Sequence, residues 1–228
     1  MNVLGQNKTT FFFMIDYELQ KPKIFQLDKL PENLFFKTHL FSKNLPFAKQ
    51  SKSVDFNVFP IDFDTYSQAF KVVKLALNRG NSYLTNLTFQ TPIKTNLSLT
   101  EIYNRSNSSY KLLYNNQFVC FSPESFVKIN GGKIFSFPMK GTIDASIPNA
   151  KEIILNDKKE TAEHHTIVDL IRNDLSMVAK QVTVEKLRYV EKIETNNKSL
   201  LQVSSKISGV LPDNYVENIG DIIAKLLP

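Results

Sequence analysis

The sequence predicts an α+β fold. Two observations carry this: short aromatic and β-branched runs cluster in groups, and a few helical segments stand between them without a repeating strand-helix-strand rhythm. A third is the absence of any internal repeat or low-complexity stretch, which leaves one folded architecture rather than an array.

Taken in order, "TFFFMIDYEL", "SYLTNLTFQTPI", "YKLLYNN" and "QFVCFSP" read as strands, each bounded by Asn, Gly, Pro or Ser. "SFVKINGGKIFSF" reads as a hairpin, because Gly131 and Gly132 can supply the positive φ values that a tight turn demands. Among these lies one helix, "DTYSQAFKVVKLALNRGN". Its residues Ala69, Phe70, Val73 and Leu77 recur at helical spacing, and Gly80 follows as a stop. The second half opens on a longer helix over residues 157–179, with Ile167, Leu170, Ile171, Leu175 and Val178 as its apolar face. "QVTVEKLRYVEKIET" and "SLLQVSSKISGVL" read as strands, and "VENIGDIIAKLLP" as a short closing helix.

Composition narrows the function classes. With 228 residues, 42% hydrophobic and 22% charged, the chain can bury a substantial core and reads as soluble and globular. Its net charge of +6 is spread along the sequence, which attracts small anions but makes no nucleic-acid footprint. The apolar run "FFFMI" is too short for a secretory core segment or a membrane span. Cys120 is the single cysteine, so an intrachain disulfide is impossible, and a cytoplasmic location with no membrane partner is the expectation.

Several residues invite chemistry. On the long helix Glu160 and Glu163 are three apart, and heptad continuation through Ile167, Leu170 and Asp174 extends the apolar stripe. Carboxylates turned toward a core or cleft need a cation or hydrogen bonds to compensate them, and hard oxygens suit Mg²⁺. Asp157 and Glu160 also have the spacing of a capping box, so Glu160 fits both a metal and a helix cap. His164 and His165 point about 100° apart on a helix and lack a third soft ligand, which excludes a zinc site. In "FPMKGT", Lys140 stands between an apolar run and a Gly-Thr pair. An amine becomes a nucleophile only when desolvated or set beside another positive charge. Glu124 in "FSPESF" follows a proline at the end of an apolar run, where a carboxyl group can be presented to a cleft.

Together, "SPESF", "FPMKGT", "KETAEHHTIVDLIRNDL", "GNSYLTNLT" and "QVSSKISG", in this order, resemble the chorismate-utilising enzymes, and most closely the aminodeoxychorismate synthase large subunits. The resemblance runs from about Phe11 to the C-terminus. It implies a two-lobed sandwich of large, mostly antiparallel sheets with flanking helices. It also implies a single chorismate-binding domain over residues 1–228 that stops before the family's C-terminal third, and with it part of the active-site wall. In such enzymes the residue before Gly-Thr separates activities: lysine marks the aminodeoxychorismate type, alanine the anthranilate type. Isochorismate and salicylate synthases carry a water-activating lysine where this chain has Leu84.

The resemblance therefore implies Lys140 as the attacking amine and Glu124 as the general acid. It implies Gly141 and Thr142 as substrate contacts, and Glu163 with Glu160 as the Mg²⁺ carboxylates. The reaction implied is chorismate plus ammonia to 4-amino-4-deoxychorismate, toward 4-aminobenzoate and folate, with ammonia from a separate glutamine amidotransferase subunit. Anthranilate synthase component I, and a non-catalytic fragment that binds the amidotransferase, are the alternatives. Two departures stand out: Ser125 replaces the family's arginine, and Gln202 stands where anthranilate synthases carry histidine.

Overall fold

The computed structural model describes residues 1–45, 53–194 and 198–227. Its elements in chain order are α1 (Asn2–Gln6), β1 (Phe11–Met14), β2 (Lys23–Gln26), β3 (Leu34–Lys37), β4 (Ser42–Lys43), β5 (Phe56–Val58), α2 (Phe63–Asn78), β6 (Ile93–Thr95), α3 (Leu99–Arg105) and β7 (Tyr110–Tyr114). They continue with β8 (Phe118–Ser122), β9 (Lys128–Asn130), β10 (Lys133–Ser136), β11 (Met139–Asp144), α4 (Ala150–Asn156), α5 (Lys158–Ser176), β12 (Lys180–Glu194), β13 (Ser199–Val210) and α6 (Ile219–Leu226). Every described strand pair is antiparallel, so the α+β class holds.

Two compact units divide the chain: Met1–Pro46 with Arg105–Pro228, and Phe47–Asn104. The smaller unit contains α2 and the β5–β6 ladder. Helix α2 begins where Asp62 accepts the Thr65 N–H at 2.8 Å, and it ends before Gly80, whose φ of +77° is the left-handed stop read from the sequence. The stretch 82–91, read as a strand, forms none: Tyr83 is 98% exposed, and backbone pairing with β5 begins only at Pro92, whose carbonyl accepts the Phe59 N–H at 2.9 Å. A lone extended segment without a paired neighbour has nothing to hold it as a strand.

In the larger unit, β4-β3-β7-β8 form one sheet, and β1 with β2 a separate ladder. The second large sheet is organised by β13. Strand β12 pairs with it from Lys180–Val210 to Glu194–Ser199, while β10 and β11 share its opposite edge, end to end. Strand β9 turns into β10 at Gly131 and Gly132, with φ of +56° and +73°, as the hairpin reading requires. Helices α5 and α6 close one face around a core of Ile134, Val168, Leu175, Ile207, Leu211, Ile222 and Leu226. Burying such side chains contributes about 1.5–3 kcal/mol each, an upper bound set by the extended-chain reference.

The buried face of α5 overlaps the one read off the sequence without matching it throughout. Leu175 is buried with Ile171 and Val178 packed beside it, as read, whereas Leu170 is half exposed and His164 and Val168 are buried in addition. The N-terminal half of the stripe is therefore centred on residues 164 and 168. Glu160 and Glu163 thus lie along the border of the packed face rather than at its centre, and a histidine takes the central position.

Candidate functional site

Strand β11 carries the first part of the site. Met139 pairs with Ser204 and Thr142 with Gln202, so Lys140 and Gly141 together face the single residue Val203. This is a β-bulge: it interrupts the alternation of side chains and re-aims one of them. Gly141 makes it possible, with φ of +94°, a backbone conformation that costs any residue with a Cβ. A Cβ there would make ordinary contacts, 3.4 Å from Glu160 Oε2 and 3.5 Å from Ile154 Cδ1, so the backbone conformation rather than space is what selects glycine.

Helix α5 carries the second part. Its N-cap is Asp157, whose carboxylate accepts the Glu160 N–H at 2.9 Å, so the cap needs only the backbone of Glu160 and leaves its carboxylate facing Gly141. One turn on, Glu163 Oε2 meets Lys140 Nζ at 2.7 Å, and its other oxygen is 3.6 Å from Lys159 Nζ. The hydrogen bond it donates to Glu163 holds the Lys140 ammonium above the ordinary lysine range, outweighing partial burial, with the Glu160 charge adding to it. The reciprocal bond depresses Glu163. Lys140 is thus no desolvated neutral amine here. Its side chain is 41% exposed and charged, gripped by the acid that the sequence assigned to a metal.

Behind the bulge stands His164, 1% exposed. Its Nδ1 lies 3.3 Å from the Lys140 carbonyl oxygen and its Nε2 lies 2.6 Å from Ser205 Oγ. Burial pushes this imidazole below its usual pKa, which favours the neutral ring. Sequence reasoning weighed this residue only as a zinc ligand. The signal that could have found it was its place four residues before Val168 on the packed side of the helix.

The remaining expected residues fall less close together. Thr142 Oγ1 donates to Gln202 Oε1 at 2.5 Å, so its proton is engaged within the sheet. Gln202, noted as a departure, is therefore the partner of an expected substrate contact. Glu124 follows β8 and lines an open concavity of about 540 Å³ with Tyr110, Ser125, Lys128, Met139 and Glu191. Surrounding protein desolvates its carboxyl and raises its pKa, opposed by a hydrogen bond from the Met139 backbone N–H. Its accessible surface and its desolvation are reconciled by the concave wall, which crowds the group without covering it. Lys140 does not line this concavity, and among the described residues no ion pair joins it to Glu124. The structure brings Lys140, Gly141, Glu160 and Glu163 together, and meets Glu124 one residue earlier on β11.

As a metal site, the acids supply two hard carboxylates on one helix face, and no cluster of three His, Cys, Asp or Glu ligands exists among the described residues. That fits Mg²⁺, which commonly takes one or two protein carboxylates and fills its shell with water and substrate oxygens. It does not fit zinc, which asks for three or four protein ligands.

The sequence profile of the chorismate binding enzyme family matches residues 9–228, and the chain belongs to that family. It is 46% identical over 227 residues to a PabA-like protein of Haemophilus influenzae, covering 100% of this chain and 69% of that one. With aminodeoxychorismate synthase component 1 of Bacillus subtilis it shares 29% identity over 184 residues, 74% of this chain and 38% of that one. The fold matches the 2,3-dihydroxybenzoate-specific isochorismate synthase DhbC of Bacillus anthracis with a TM-score of 0.63 at 16% identity, covering 100% of this chain and 64% of that one. Among the described residues no helix is long and apolar enough to cross a membrane.

Proposed function

We propose that this chain acts on chorismate as an aminodeoxychorismate synthase component I does, through a covalent bond from Lys140 to the ring. The observation that supports it most is the bulge itself: a glycine-enforced irregularity aims an amine at two carboxylates, inside a family defined by chorismate binding. A surface lysine in an uninterrupted strand would need no such device.

The chemistry assigned to these residues runs in two displacements. Lys140 Nζ, having given up one proton to solvent, bonds to ring C2 as the ring double bonds shift and the C4–O bond breaks. Glu124, whose carboxyl is pushed above its usual range by desolvation, gives a proton to the departing oxygen, which leaves as water. Ammonia then bonds to C4, the double bonds return and the Nζ–C2 bond breaks, while the Glu124 carboxylate takes the excess proton. Dividing the substitution avoids direct expulsion of hydroxide. Glu163 and Glu160 would hold Mg²⁺, which would supply positive charge for the ring carboxylate. Gly141 keeps the backbone close to the ring, and Thr142, fixed by Gln202, gives that wall a defined shape. Ammonia would come from a glutamine amidotransferase partner, and the product would lead to 4-aminobenzoate.

The test is turnover of chorismate with ammonium and Mg²⁺ by wild type and Lys140→Ala, with products identified by mass. The reading expects 4-amino-4-deoxychorismate from wild type only, with unchanged near-UV circular dichroism. Undiminished amine formation by the variant refutes it, and anthranilate as product would move the chain to the other amine-forming branch.

A further inference from the structure

We propose that His164 is a positioning residue for Lys140, acting through a buried hydrogen-bond relay that fixes the β11 bulge from behind. This rests on the reading of Lys140 as the attacking amine, but its geometry stands on its own.

The relay has one consistent proton arrangement. A backbone carbonyl only accepts, so Nδ1 of His164 carries the hydrogen directed at Lys140 O. Ser205 Oγ accepts the Arg188 backbone N–H at 2.9 Å, which leaves its own hydrogen for His164 Nε2 at 2.6 Å. The Ser205 backbone N–H in turn holds Pro138 O at 3.0 Å, pinning the chain just ahead of the bulge. Each member is thereby satisfied in one direction, from Arg188 through Ser205 and His164 to Lys140.

Arg188 has the conformation of a residue kept for this purpose. It sits at a second bulge, in β12, with φ of +47°, where a non-glycine residue is strained. That twist presents its N–H to Ser205. Its guanidinium reaches across to Ile154 O at 3.3 Å, leaving Nε buried and unpartnered. Ile154 is the residue packed against Gly141. Lys140 is therefore held by its carbonyl through His164, while Gly141 lies beside Ile154, whose backbone carbonyl accepts from Arg188. Free to relax, a bulge can return to regular pairing and turn its side chain away.

Lys140 and Lys159 both contact Glu163, and only Lys140 depends on the bulge, which provides an internal reference. The experiment is carbodiimide zero-length cross-linking of the full chain, with Lys140–Glu163 and Lys159–Glu163 products quantified by peptide mass spectrometry. Relative to the Lys159 product, the Lys140 product should fall several-fold in His164→Ala and in Ser205→Ala. It should stay near wild type in His164→Asn, whose side-chain amide can donate from the place of Nδ1. An unchanged ratio in the folded His164→Ala and Ser205→Ala proteins overturns the proposal, as does a ratio in His164→Asn as low as in His164→Ala. Should His164→Ala not fold, the nearly isosteric Ser205→Ala decides alone. Amine formation surviving in Lys140→Ala would refute the nucleophile reading and leave these ratios standing.

Discussion

Lys140 Nζ and Glu163 Oε2 stand 2.7 Å apart, joining the bulge of β11 to the first turns of α5. The pair holds the lysine charged, so in this arrangement the acid protects the amine from reacting. On the proposed reading, attack by Lys140 requires that Glu163 be drawn elsewhere.

Replacing Glu163 with Gln removes the largest cause of the raised Lys140 pKa. Lys140 should then titrate nearer the ordinary lysine value of about 10.4. Nitrogen-15 NMR of the Lys140 amine across alkaline pH reads this directly, and an unmoved midpoint would show that the pairing is not what sets it. The same variant should bind Mg²⁺ more weakly by calorimetry.

Gly141→Ala forces a Cβ into a left-handed backbone position beside Ile154 and Glu160. The strain should cost roughly 1–3 kcal/mol. A lowered urea midpoint at unchanged slope checks it. An equal midpoint would mean that the bulge relaxes without cost.

His164 makes stability depend on pH. Its folded pKa is depressed by burial, so below the unfolded imidazole value of about 6.5 the unfolded chain takes a proton that the native ring refuses. Stability should fall as pH drops from 6.5 toward the folded pKa, by at most about 1.4 kcal/mol per unit. Thermal melts from pH 7.5 to 5.5 should show a steeper decline in wild type than in His164→Asn. Asp144, depressed to about 2 by hydrogen bonds from Ser146 and the nearby Lys198, acts only below its unfolded value of about 3.9 and does not confuse this window.

Much of the fold was legible because its signals are local. Gly80 ends α2 as its position after the apolar spacing suggests, the Gly131–Gly132 pair makes its turn, and β12, β13 and α6 follow their apolar patterns. Helix α4 was not legible: it is seven residues long and starts from Asn149 in a left-handed conformation without a side-chain cap. Helices α1 and α3, of five and seven residues, are similarly too short for a periodic pattern to emerge. In the site, motif order singled out candidate residues, but their spatial relations were not readable. Whether Glu163 faces a metal or a lysine, and whether His164 is exposed or central, depends on a helix rotation fixed by packing against β11 and β13. The bulge at Lys140 depends on strand register, which no stretch of β11 reveals alone.

The central claim is a covalent bond at one nitrogen, and the most direct measurement is the mass of the peptide that carries it. Protein mixed with chorismate and Mg²⁺ without ammonium, quenched in acid and digested, should yield a Lys140 peptide heavier by chorismate less one water. Ammonium added before the quench should discharge it as 4-amino-4-deoxychorismate appears. Steady formation of that product with Lys140 unmodified at every time, and undiminished in Lys140→Ala, would contradict the account.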